Sequence, residues 1–200
     1  MNPRGPSWTL ELGGLARRFT GPMIARTGTV ETTSGDTASY GIDSGAPTAG
    51  DTAGGAFAMR ITAPVSEHLY AGAELELGGL TRSPIQLMTS ESDLQLSRAM
   101  AGATAVVGAR ARHGIAELDG EVAGGMRVLS MTVQSVDAGE DDPSATETSL
   151  TGLVEARVRG ALWVSPHVFL AAQTGVNVLD RDDVNVGLSI GFASHAFGSR

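Results

Sequence analysis

The sequence predicts an all-β chain, an eight-stranded antiparallel up-and-down barrel that carries its apolar residues on the outside. Three observations point there. Apolar and polar residues alternate almost without a break through 56–78, 102–127 and 153–178, the period-two rhythm of strands. The polar positions of that rhythm hold Arg and acids in nearly equal number, while the alternate face holds Leu, Val, Ala, Gly and Met. Long connections rich in Ser, Thr, Gly and Asp alternate with tight turns.

The strands are expected near 7–18, 55–63, 69–79, 100–112, 115–128, 151–163, 167–178 and 183–196, in one domain covering 1–200. Each is roughly the 9–11 residues that a tilted strand needs to cross hydrocarbon. In the first, Trp8, Leu10 and Leu12 alternate with Glu11, and Arg17 lies further along on the same parity as Glu11. The second sets Phe57, Met59 and Ile61 against Arg60 and stops at Pro64; the third sets Leu69, Leu75 and Leu77 against Glu74 and Glu76. An alanine-rich fourth strand carries Arg110 and Arg112, and a fifth sets Leu118, Val122 and Met126 against Glu117, Asp119, Glu121 and Arg127. The sixth sets Val154, Val158 and Leu162 against Glu155, Arg157 and Arg159, with Trp163 on the polar parity. After Pro166 the seventh alternates Val168 and Leu170 with Gln173 and Asn177, and the eighth sets Val184, Leu188 and Phe192 against Asp183 and Asn185. A two-residue turn at His113-Gly114 places Arg110 opposite Glu117, with Arg157 and Arg159 in reach of Glu121 or Glu155. The last connection, 180–183, is short although it belongs to the long-loop rim.

Orientation follows from cost. Seven Arg (17, 60, 110, 112, 127, 157, 159) face eight acids (Glu11, Glu74, Glu76, Glu117, Asp119, Glu121, Glu155, Asp183) on one parity. Such balance suits a closed, dry lumen, where an unpaired ion is expensive and paired ones satisfy each other. One Arg turned toward lipid at mid-depth costs roughly 2–4 kcal/mol, so a one-residue slip that exposed all seven is prohibitive. The alternative is a soluble lipocalin-like carrier with the apolar face inside. Ala101, Ala103, Ala105 and Ala109 fill a core badly, and an aromatic content of 4% leaves little to line a ligand pocket. The favoured fold is therefore a transmembrane β-barrel with long outer loops and short periplasmic turns.

Composition narrows the partners. A net charge of −8 offers no basic surface to a nucleic-acid backbone. No cysteine is present, so disulfides and thiolate metal sites are excluded. Every basic residue is Arg, and no apolar run approaches the eighteen residues of a membrane helix. Residues 1–6 lack the apolar core of an export signal, so a membrane location implies that a signal peptide has been removed and Met1 supplied.

With strand number, loop asymmetry and inner charges in hand, the chain resembles the OmpA-type and OmpX/Ail-type outer-membrane barrels over nearly its whole length. The sharpest local element is Asn185, Gly187, Ile190 and Phe192 in NVGLSIGF, with Phe197 near the end. This looks like the β-signal read by the barrel-assembly machinery. The resemblance implies the outer membrane of a Gram-negative bacterium, with outer-membrane lipid and lipopolysaccharide as surroundings.

Chemistry is sparse. Lipid A-modifying barrels need His near the outer leaflet, whereas His68, His113, His167 and His195 all fall toward the periplasmic rim. Glu74/Glu76 and Glu117/Asp119 have the spacing of paired carboxylates, but beside Arg on an inward face they are lumen ion pairs. No catalytic residue, metal or cofactor is expected. Residues 80–99 hold Ile85, Leu87, Met88, Leu94 and Leu96, which extend strands beyond the membrane or offer a contact surface. Asp137, Glu140, Asp141, Asp142, Asp180, Asp182 and Asp183 gather on the same rim. The expected function is a structural or adhesion-type barrel acting through its outer loops, with a narrow ion or small-solute pore as the alternative.

Overall fold

The computed structural model describes residues 7–90, 94–136 and 143–194, and every regular element among them is a strand. In chain order these are β1 (Thr9–Phe19), β2 (Ala25–Glu31), β3 (Thr37–Asp43), β4 (Thr52–Pro64), β5 (Leu69–Arg82), β6 (Gln86–Met88), β7 (Leu94–His113), β8 (Ala116–Ser135), β9 (Ser144–Trp163), β10 (Val168–Asn177) and β11 (Asp180–Ala193). Eight of them form a closed antiparallel barrel in the order β1-β11-β10-β9-β8-β7-β5-β4. β1 pairs with β11 on one side and β4 on the other, so the ring has no open edge within its wall.

The expected long loop 19–54 is not irregular. It contains β2 and β3, which with β6 form a separate three-stranded sheet. Their short alternations, such as Val30 in ARTGTVE and Tyr40 with Ile42 in TASYGID, are half the length of a barrel strand and sit among turn residues. That is why strand spacing alone passes over them. Strands β7, β8 and β9 are each 20 residues, longer than expected at the long-loop end. At about 3.4 Å per residue they far exceed one hydrocarbon crossing.

Two turns differ from expectation. The β7–β8 hairpin turns at Gly114-Ile115, because His113 pairs with Ala116. The true pairs are therefore Arg110 with Asp119 and Arg112 with Glu117, and Glu121 faces Gly108. Gly114 has φ +61, and a positive φ at the first central position suits a turn that matches the twist of the strands. Placing Gly second, after His113, gives that left-handed position to a residue with a Cβ, which costs more. Likewise 180–183 is strand and not connection: β10 ends at Asn177 and β11 begins at Asp180, leaving Val178-Leu179 as the turn.

Side chains sort by parity as the pleat requires. Outward stand Leu77, Val107, Leu118 and Leu188, all more than 60% exposed, in a ring with Phe57, Val122, Val158 and Phe192. Inward stand the ions, together with Leu15, Met100, Val106 and Leu129. Among the described residues the wall is apolar outside and charged inside. The barrel's two ends are packed differently. Trp163 and Phe169 meet with ring centroids 4.8 Å apart toward the short turns, and Phe19, Met100 and Leu129 cluster toward the long-loop end.

Candidate functional site

The expected lumen residues do converge, but across the barrel more than along its wall. Arg17 on β1 donates to Glu76 on β5 through Nε at 2.9 Å and Nη2 at 2.5 Å, and to Glu155 on β9. Arg157 on β9 bridges to Glu74 on β5 at 2.7 Å and to its neighbour Glu155 at 2.5 Å. Arg60 on β4 clamps Glu121 on β8 with two N–H groups, at 2.8 and 2.5 Å. The Tyr70 hydroxyl donates to the same carboxylate at 2.5 Å. Arg127 on β8 reaches Asp183 on β11 at 2.9 Å, and Asn177 donates to that acid at 3.2 Å. Arg159 holds Glu11 at 3.0 Å and also Asp119. Arg112 pairs with Glu117 at the short-turn end, where it is partly exposed.

Each of these arginines except Arg112 has a partner two or three strands away around the ring, so the pairs act as struts. An eight-stranded barrel is narrow enough for a guanidinium on one wall to meet a carboxylate on the other. Of the two acids expected in reach of Arg157 and Arg159, Arg157 takes Glu155, whereas Glu121 turns to Arg60 and Tyr70 although Arg157 is its ladder neighbour. Arg110 is held by its ring partner, stacking over Tyr70 at 4.3 Å, and Arg127 stacks over Phe19 at the same distance. Burial is nearly complete: Glu155 is 0% and Arg127 1% exposed.

Two voids among these side chains are small. One void between β1, β4 and β11, bordered by Glu11, Gly13, Arg60 and Glu74, measures about 20 Å³. Another, between Thr62, Tyr70, Glu117 and Asp119, measures about 10 Å³. Neither holds more than about one water. Toward the short turns the Phe169 ring lies on Gly191, so close that a Cβ there would overlap it.

At the opposite end the β2-β3-β6 sheet covers one face of the extended β7-β8-β9 strands. Val30, Tyr40, Ile42 and Ile85 pack there on Leu94, Met131 and Val133. Of the apolar residues in 80–99, Leu94 and Leu96 extend β7, whereas Ile85 is core of this sandwich and Met88 is exposed. Burial, and then the Glu147 carboxylate, push the Tyr40 hydroxyl above its ordinary value. Asp51 pins the strand ends. Its carboxylate accepts from the Gly21 and Thr48 amides at 2.8 Å each and from the Thr52 hydroxyl at 2.9 Å. Burial raises this carboxyl, and the three donors more than offset that, holding it below the usual range.

The remaining expected residues divide. Asn185 and Gly187 face the lumen on β11, and Ile190 and Phe192 face outward on the same strand. Phe197, His195 and the acids 137–142 lie outside the described residues. His68, His113 and His167 sit in or beside the short turns, exposed. The β2-β3-β6 sheet was absent from the expected site because its strands are short. The signal that finds it is Ala38, Tyr40 and Ile42 alternating with Thr37, Ser39, Gly41 and Asp43.

No family model matches the chain, and no curated protein matches it. Among solved structures it is similar to Ail, the attachment invasion locus protein of Yersinia pestis, at 9% identity, TM-score 0.48, covering 95% of this chain and 97% of that one. It is similar to the same protein in complex with the heparin analogue sucrose octasulfate, at 9% identity, TM-score 0.47, covering 94% and 97%. Neisserial surface protein A, NspA, is a third, at 12% identity, TM-score 0.41, covering 95% and 98%.

Proposed function

We propose that the chain is a non-enzymatic β-barrel of a Gram-negative outer membrane, with a lumen closed by Arg–carboxylate struts and an outer sandwich that serves a structural or surface-contact role. One observation carries the reading. A ring of exposed aliphatic side chains surrounds a closed wall whose ions are buried inside. In water that arrangement is doubly unfavourable; in hydrocarbon every backbone group is satisfied by the closed ladder and every aliphatic group by lipid. Surroundings of outer-membrane lipid and lipopolysaccharide, and delivery by the barrel-assembly machinery through the pattern at Asn185 to Phe192, belong to the same reading. The void volumes favour a plug over a narrow ion or small-solute pore. The absence of a catalytic role is supported by the position of His68, His113 and His167 at the short turns, away from the outer sandwich.

Detergent-folded protein is expected to migrate differently on a gel before and after boiling, and to show a β-type circular dichroism spectrum. Identical migration with a spectrum lacking strand signal would reject the barrel. In planar bilayers no steady conductance is expected. An open current abolished by Arg157→Ala or Glu121→Ala would instead establish the pore.

A further inference from the structure

On the outward face of β7, β8 and β9 the chemistry changes within one ladder row. The apolar belt ends where Val128 pairs with Leu150; the next row pairs Ser130 with Thr148, and the row above lines up Ser97, Thr132 and Thr146. The rows are about 7 Å apart. Outward positions of these segments hold no charge at all, because Arg98 and Glu147 fall on the other parity, Arg98 donating to the Ile85 carbonyl at 2.5 Å. Thr132 and Thr146 share a hydroxyl hydrogen bond of 3.0 Å, which fixes the two side chains in place.

We propose that the face formed by Gln95, Ser97, Ser130, Thr132, Thr146 and Thr148 is a contact surface for the saccharide of glycolipid surrounding the barrel. The proposal rests on the membrane reading and names what touches it just above the hydrocarbon. Position supplies half of the case: these rows continue the belt on the same strands, so their neighbour is joined to the lipid below. Chemistry supplies the other half. Phosphate is held by Arg or Lys, and this face has neither. Hydroxyls and amides both donate and accept, which matches sugar hydroxyls.

The test uses the full chain in lipid discs made with lipopolysaccharide that keeps its core saccharide, or with lipid A alone. Wild-type protein is expected to unfold at higher urea in the core-bearing discs. Thr132→Val with Thr146→Val preserves shape and strand preference, so it should match wild type in lipid A discs and lose at least half of the added resistance in core-bearing ones. Should the double variant unfold early even in lipid A, Thr148→Val alone takes its place. Equal urea resistance in both discs, or an undiminished difference in the variant, overturns the proposal. If free core oligosaccharide added to lipid A discs reproduces the gain, the ligand is a soluble glycan and the lipid-anchored assignment falls. Failure to insert into either disc defeats the membrane reading itself, and this proposal with it.

Discussion

At the scale of single residues, the lumen shows how a charge becomes structural when it has no water. Arg17 is shared between Glu76 and Glu155, and Asp183 lies 3.6 Å away. Removing it leaves Glu76 with only Arg157 at 3.9 Å, while Glu155 keeps Arg157 and Asp183 keeps Arg127; breaking such a buried pair costs about 3–5 kcal/mol. Arg17→Ala is therefore expected to lower the unfolding free energy by that amount in urea titrations in lipid, with Glu76→Gln in the same background recovering part of it. Asp51 acts outside the barrel and through protons. Its carboxyl is held below the ordinary value near 3.8 by three donors. A depressed carboxyl stabilises the fold above its unfolded-state value, and the contribution is lost as pH falls through the folded value. Wild type should thus lose stability on acidification below about pH 4, relative to Asp51→Asn. Parallel unfolding curves for the two proteins from pH 6 to pH 2 would contradict this.

At the scale of elements, turns set register and register sets which ions meet. Gly114 at φ +61 has nothing within 4 Å of a would-be Cβ, so the cost of a side chain there is conformational alone. Gly114→Ala should cost about 1 kcal/mol by equilibrium unfolding, and Gly114→Asn less, since Asn tolerates the left-handed region. Gly191 presents the other case. Its space is filled by the Phe169 ring, so Gly191→Val must displace an aromatic that packs on Trp163. A loss of about 1–3 kcal/mol is expected from overpacking, read as a lower urea midpoint and as a loss of the Trp163 fluorescence environment set by that ring.

At the scale of the whole molecule, the wall separates two media, and a substitution is judged by which one it meets. Leu188 is 69% exposed on the belt. Leu188→Arg should destabilise the lipid-inserted barrel by about 2–4 kcal/mol near mid-depth, whereas a position facing water would tolerate the change. Comparing Leu188→Arg with Gln134→Arg on the polar extension of β8 separates depth from charge: the second should be nearly neutral.

Much of this was legible in the chain. Alternation between Leu118, Val122 and Met126 on one side and Glu117, Asp119 and Glu121 on the other declares two faces, because the pleat has a period of two and admits no third. The near-equal count of Arg and acids on one parity declares which face is enclosed. Pairing partners are another matter. Parity says that Glu121 points inward but carries no information about distance across the ring, so Arg60, on β4, was invisible as its mate while the adjacent Arg157 looked nearer. The same holds for Tyr40 and Ile85, whose burial depends on β2, β3 and β6 folding down onto β7 and β8. Local sequence thus determined the eight strands of the wall, their facing and the segregation of charge, since these follow from covalent periodicity and solvation. Which ion met which, and where the outer sheet came to rest, was decided only by closure, because closure brings together residues that no spacing along the chain relates.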